Sequence, residues 1–360
     1  MKIRSLELSD FMLFSGLDTK WSKNINVICG SNSVGKTILL KTMYSLLKSY
    51  CETDISSETK DQIETRYVNK LVHVFRPEDM SIGRLVKRKQ GSSRAECKMI
   101  LSNDGVISVG FGNRQTNHME LVSSQIEKKE EQPDSVVYFP PKEIISSTEN
   151  FRSLYESYHI AFEETYYDLA KLLDHPLTKG PKTAEQNTVL ESLGNIMNGK
   201  VVSKNGKFYL NVSGQGEFEM GLVSEGYRKL ATIVYLILNG SLNSNSVLFW
   251  DEPESNMNPK MIRPLTEAII QLAKLGVQVF ITTHDYFLMQ YLNMYMAYPE
   301  SNPDQIDIRF LSLFKKEDGQ VCCETASEIG DLTNNSIMEE FDAIYDREQG
   351  FIYDSIRKPD

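Results

Sequence analysis

Residues 30–37 read Gly-Ser-Asn-Ser-Val-Gly-Lys-Thr, which fits G-x-x-x-x-G-K-[ST] at every specified position. These residue types suit a polyphosphate. Gly30 and Gly35 let backbone N–H groups curl around an anion without a Cβ in the way, so that Ser31, Asn32, Ser33 and Val34 present their main chain to it. Lys36 adds a full charge at the outer phosphates, and the Thr37 hydroxyl is placed to hold Mg²⁺. A helix starting near Lys36 points its positive dipole end at the same anion. Residues 247–252, VLFWDE, form an apolar run ending in two acids. At the tip of a buried strand Asp251 can bind the metal, and Glu252 can orient or deprotonate an attacking water. Residues 222–226, LVSEG, precede a helix pattern, and Ser224 stands at its N-cap, where capping is its simplest role. A serine, Gly226 and exposed helix-start amides also make an anion site. His284 follows the apolar run VQVFITT, whereas His73, His118, His159 and His175 show no metal-like spacing.

These residues need elements that hold them. INVIC at 25–29 reads as a strand running into the glycine turn, followed by a helix with Leu39, Met43, Leu46 and Leu47 on one face. Residues 52–66 read as a polar loop leading into an exposed helix. Segments 82–88, 95–101 and 105–111 read as an antiparallel meander, and 126–134 (IEKKEEQPD) as a charged connector. VVYF at 136–139 reads as a buried strand stopped by Pro140 and Pro141. The stretch 143–198 is helical and rich in aromatics, and Asn205-Gly206 signals a hairpin. Beyond 222 the layout is regular: a helix at 225–239 with Leu230, Ile233, Val234, Ile237 and Leu238 on one face, strand 247–250, a helix at 259–274 and strand 277–283. A further helix, strand-like pieces at 307–314 and 320–325 and a short C-terminal helix complete it. Continuous apolar strands alternating with helices predict an α/β fold with a mainly parallel sheet covered on both faces.

Composition narrows the field. The 360 residues are 41% hydrophobic and 24% charged with a net charge of −10, a folded chain that does not coat DNA through bulk charge. There is no apolar run of ~18 residues, and MKIRSLELSD lacks the apolar core of a signal peptide. Five scattered cysteines without a CxxC argue against disulfides or zinc, and a cytoplasmic location is expected.

Taken in order, GSNSVGKT, LVSEG, VLFWDEPESNMNP and ITTHD resemble Walker A, the LSGGQ-type signature, Walker B with its D-loop, and the switch histidine of ABC-type P-loop ATPases. More narrowly, the chain resembles the soluble branch containing RecF, SMC proteins and OLD-family nucleases. The resemblance implies that Lys36 and Thr37 bind phosphate and Mg²⁺, that Asp251 completes the metal shell, that Glu252 is the catalytic base and that His284 senses the γ-phosphate of ATP. It also implies that Ser224 and Gly226 contact ATP held by a second copy, with Asn256 and Asn258 in the D-loop across that interface. One chain carries one cassette, so a homodimer or higher homo-oligomer closing on ATP is implied.

Two features depart from the pattern. Glu225 replaces a signature glycine and would repel the opposite γ-phosphate if it pointed there. The strand VVYF continues into PPKE (140–143) with no glutamine, leaving Lys142 or Glu143 at the Q-loop position. Phe11, Phe14 and Trp21 are candidates for adenine stacking, with core packing as the simpler role for each.

Lys36 and Asp251 are separated by helical but not heptad sequence, unlike SMC proteins, and the 76 residues after His284 lack the DxD of a nuclease module. The expected organisation is a first ATPase lobe with the phosphate loop and an antiparallel β lobe (1–142), a helical insert (143–198), a second lobe with signature, Walker B, D-loop and switch histidine (199–330), and a helical tail (331–360). The chain resembles single-cassette ATPase subunits of bacterial anti-phage (abortive-infection) systems, which implies an ATP-driven dimeric switch that controls a separate effector. A RecF-like DNA-binding ATPase is the alternative, with contact through Arg84, Lys87, Arg88, Lys89, Arg94 and Lys98. A small-molecule kinase would leave the signature and His284 unexplained.

Overall fold

The computed structural model describes residues 1–54, 56–121, 135–158 and 160–357. The connector 126–134 and His159 lie outside the described residues. The chain opens with β1 (Ile3–Phe11), β2 (Phe14–Lys20) and β3 (Ile25–Gly30), then α1 (Lys36–Glu52) and α2 (Lys60–Phe75). β4 (Arg94–Leu101), β5 (Val106–Gly112), β6 (Glu120–Leu121) and β7 (Ser135–Phe139) follow. Three helices come next, α3 (Phe151–Tyr158), α4 (Glu164–Leu173) and α5 (Ala184–Met197), then β8 (Gly199–Lys204), β9 (Lys207–Val212) and β10 (Gly216–Glu219). The remainder is α6 (Glu225–Leu238), β11 (Ser246–Asp251), α7 (Ile262–Leu275), β12 (Gln278–Thr282), α8 (Tyr286–Ala297), β13 (Ile308–Lys315), β14 (Val321–Ala326) and α9 (Ser336–Arg357).

The central sheet has the order β14-β13-β3-β12-β11-β7 and is parallel except for the β13–β14 pair. β3, β11 and β12 are buried along their whole length, as continuous apolar runs in a sheet covered on both faces must be. Alternation divides their side chains between two cores. Val137, Phe139, Leu248, Trp250, Val279 and Ile281 face the core shared with α5, α6 and α7, while Val136, Tyr138, Val247, Phe249 and Phe280 face the one containing α1, α2 and the antiparallel lobe. That lobe has the order β2-β1-β4-β5-β6, and a small sheet β10-β9-β8 carries the expected hairpin, whose Asn205 and Gly206 have φ of 51° and 76°.

Three expectations change. Residues 82–85 form a 3-10 turn rather than a strand, and only Val86 bridges to Phe11. The cause is tertiary: a Cβ on Gly83 would lie 2.7 Å from the carbonyl oxygens of Asn113 and Gln115, so this backbone docks on the 113–115 loop. The helix after residue 52 is not an exposed one, because α2 buries Ile63, Tyr67, Val68 and Leu71. The C-terminal helix is long, at 22 residues, and Phe341 on it stacks on Tyr286 with centroids 4.3 Å apart. No helix among the described residues is long and apolar enough to cross a membrane.

Candidate functional site

The glycine turn is held from two sides. Gly30 has φ of 133°, and a Cβ there would collide with the main-chain oxygen of Leu313 on β13. Gly35 has φ of 101°, and a Cβ there would lie 2.8 Å from the Phe14 ring. Phe14 is therefore a wall behind the loop. Phe11 and Trp21 are buried too, with Trp21 edge-on to Phe280, so all three aromatic candidates are core residues. α1 starts directly from Gly35 with no side-chain cap and no acid in its first turn, the reverse of an ordinary helix start, which leaves its positive end unopposed. Within the loop the Lys36 ammonium donates to the carbonyl oxygens of Gly30 (2.7 Å) and Ser31 (2.8 Å). Burial pulls its pKa down, against the pull of Glu252, Cys29, Asp251 and Glu254.

The parallel register brings the acid pair to the same place. Asp251 is paired with Thr282 across β11 and β12. Its Oδ1 accepts from the hydroxyls of Thr282 (2.5 Å) and Thr37 (3.0 Å), and its Oδ2 from the Tyr138 hydroxyl (3.1 Å). Burial raises its pKa despite these three donors. A fully buried carboxylate with only neutral donors, touching the Thr37 hydroxyl at the end of the glycine turn, could supply oxygen donors to a hard divalent cation such as Mg²⁺.

Glu252 adopts φ of 48° just past the strand, with its N–H 3.0 Å from the Thr282 hydroxyl. That turn swings its side chain out of the sheet, where Oε1 meets His284 Nε2 at 2.7 Å. Both side chains are partly exposed while Asp251 is wholly buried, so a solvent-reachable pair stands above a buried acid. Glu254 fixes the histidine from behind: its Oε1 accepts from the Thr283 hydroxyl (2.7 Å) and the His284 N–H (2.9 Å). Burial raises the Glu254 pKa. Lys36, Thr37, Asp251, Glu252 and His284, scattered over 249 positions, thus meet at the carboxyl edge of one sheet, where doubly wound folds bind ligands.

The signature turn packs against the D-loop. Ser224 holds the N-cap position of α6, but its side chain makes no capping hydrogen bond, contrary to its simplest expected role. Gly226 faces Met257, and Asn256 donates to Glu225 at 3.3 Å, so Glu225 is turned toward its own D-loop. Asn258 caps the turn at 259–261 through Lys260 N–H. Glu143 is ion-paired with Arg228 of α6 at 2.7 Å and Lys142 is exposed, so the Q-loop position leans on the signature helix. In the basic stretch, Arg84, Lys89, Arg94 and Lys98 contact Glu78, Asp10, Glu96 with Glu120, and Glu7.

Sequence reasoning missed Tyr138, Thr282, Glu254 and Lys229. Each left a faint mark: hydroxyls inside apolar strands, an acid in a segment that becomes buried, and a cation on the apolar face of α6.

Residues 111–290, half of the chain, match the family model described as "AAA domain, putative AbiEii toxin, Type IV TA system". The chain belongs to this AAA family. The matched segment contains Ser224, Asp251, Glu252 and His284 but not the phosphate loop, which stands on its own string and geometry. Two solved structures have a similar fold. The Smc head bound to the C-winged helix domain of ScpA is 12% identical with a TM-score of 0.56, covering 92% of this chain and 99% of that one. The Smc head with an extended coiled coil bound to the C-terminal domain of ScpA, derived from Pyrococcus furiosus, is 11% identical with a TM-score of 0.52, covering 97% and 99%. No curated protein matches the chain. This AAA-family chain thus has an α/β fold similar to that of the SMC head domains.

Proposed function

We propose that this AAA-family chain hydrolyses ATP as a dimeric switch, and that the switch regulates a separate effector in anti-phage defence. The reading rests on one observation: Thr37 of the phosphate loop, Asp251 of β11 and Thr282 of β12 share a hydrogen-bonded cluster, with the Glu252–His284 pair beside it. The cradle Gly30, Ser31, Asn32, Ser33, Val34 and Gly35 would receive the β- and γ-phosphates, with Lys36 countering their charge. Mg²⁺ held by Thr37 and Asp251 would neutralise the outer phosphate oxygens. Glu252 would accept the proton of the attacking water, and His284, 2.7 Å from it, would orient that carboxylate. Ser224 and Gly226 would meet the ATP of a second copy. Lobes 1–142 and 199–330, the helical insert 143–198 and the tail 331–360 are proposed as the working units of this cycle.

Defence is supported by the toxin–antitoxin wording of the family description. The RecF-like alternative depends on free cations at 84–98, and four of those six have acidic partners. Purified wild type should release phosphate from Mg²⁺–ATP. Lys36→Ala should lose ATP binding, measured with a fluorescent analogue. Glu252→Gln should bind ATP while turnover falls on the order of 10²–10³-fold. Wild-type turnover by Glu252→Gln removes the base assignment.

A further inference from the structure

Lys229 is 3% exposed on α6, one turn beyond the signature, at a position where an apolar residue would suit the helix face. Its ammonium donates to the carbonyl oxygen of Ser255 (2.9 Å), the hydroxyl of Ser255 (2.8 Å) and the carbonyl oxygen of Pro253 (3.1 Å), with that of Glu252 at 3.4 Å. Three protons meet three close acceptors, all in the four residues that begin with the proposed base. The Ser255 hydroxyl in turn donates to the carbonyl oxygen of Pro141 (3.1 Å), in the segment that replaces the Q-loop. The neighbouring Arg228 reaches the same segment through Glu143.

A charge in this setting is costly unless its hydrogen bonds are filled, and here two main-chain carbonyls and a hydroxyl fill them with no carboxylate in direct contact. A hydrophobic side chain would serve the packing of α6 equally well. What the ammonium adds is a fixed path for the backbone 252–255, whose first residue holds φ of 48°, a conformation costing about 1 kcal/mol or more in an isolated chain. We propose that Lys229 is a positioning residue for hydrolysis: it clamps the D-loop so that Glu252 keeps its outward turn, and it ties the signature helix, the D-loop and the 140–143 segment of one chain into a single moving part. This rests on the assignment of Glu252 as the base.

The test uses the full chain with Lys229→Met, which keeps the stem and removes the charge, and Ser255→Ala, a milder lesion in the same bracket. Both are measured for KM(ATP), kcat and melting temperature beside wild type and Glu252→Gln. For a clamp, kcat falls about tenfold or more in Lys229→Met and by a smaller factor in Ser255→Ala, with KM for ATP within twofold of wild type, because the phosphate cradle is untouched. The double variant should lose less than the product of the single losses, as two parts of one bracket do. If Lys229→Met does not fold, Ser255→Ala carries the same split alone. Wild-type kcat in a folded Lys229→Met, or in Ser255→Ala when that variant stands alone, overturns the clamp. A loss that appears in KM and kcat alike also overturns it and marks Lys229 as structural. Glu252→Gln separates the two failures: if it stalls while Lys229→Met turns over normally, only the clamp falls, and if it turns over normally, the base assignment falls and the clamp with it.

Discussion

Asp251 is under electrostatic tension. It is wholly buried with three hydroxyl donors and no touching cation, and burial lifts its pKa above the ordinary 3.8. A raised folded value means the fold binds the proton more tightly than the unfolded chain does. Above the folded value the cost of burying the ionised form is therefore present in full, and it fades as pH falls through that value toward 3.8. Asp251→Asn keeps an oxygen for Thr37 and Thr282 and turns an amide toward the Tyr138 oxygen. The nucleotide-free variant should be more stable than wild type at pH 7, by on the order of 1 kcal/mol, with the gain shrinking in acid. The same variant should lose Mg²⁺-dependent turnover. Thermal melts at pH 7 and pH 4 check the sign; a variant less stable at pH 7 contradicts it.

At the scale of elements, the placing of α4 against α1 and α2 depends on a buried polar cluster. Lys70 of α2 reaches Glu164 at 2.7 Å and Asp168 at 3.1 Å, and Asp168 also accepts from the Tyr44 hydroxyl at 2.6 Å. Burial alone would lower the Lys70 pKa, but the carboxylates of Asp168, Glu164 and Glu52 outweigh it and raise the pKa. Lys70→Met leaves Asp168 buried without its cation and should cost roughly 3–5 kcal/mol. Lys98→Met breaks a half-exposed contact with Glu7 and should cost about 1 kcal/mol or less. Urea titrations of both variants separate the cases, and equal losses would mean the buried cluster carries no special weight. The cluster also shows where sequence reasoning stops. VVYF and VLFW are legible as buried strands because burial on both faces leaves an uninterrupted apolar run. Lys70 and Asp168 are illegible, and Lys229 nearly so, because a charge on an otherwise apolar face does not say what it pairs with until its partner, 98 positions away for Lys70 and Asp168, is brought to it. Residues 82–85 misled for the opposite reason: their strand-like run is overridden by contact with the 113–115 loop.

For the whole molecule, the dimeric switch proposed above needs a surface that receives the nucleotide of a second copy. The motif strings were readable because each is a short stretch whose chemistry is nearly complete within itself, and the fold brings three of them to one edge. The signature turn is different. Ser224 makes no cap, Glu225 is drawn back by Asn256, and Gly226 covers Met257, so the turn stands on the D-loop with its own Ser224 hydroxyl uncommitted to the helix it starts. A serine at a helix start that does not cap is suited to an anion arriving from outside the chain. Glu252→Gln incubated with Mg²⁺–ATP should therefore run at twice the 41.1 kDa chain mass in light scattering, while the same protein without nucleotide should not. Adding Ser224→Arg to Glu252→Gln puts a long side chain where the second copy's γ-phosphate would sit, and should return the mass to the nucleotide-free value with ATP affinity for the chain's own cradle unchanged. If the doubly substituted chain still associates on ATP, the two copies meet by some face other than the signature turn, and the trans role of Ser224 and Gly226 is removed.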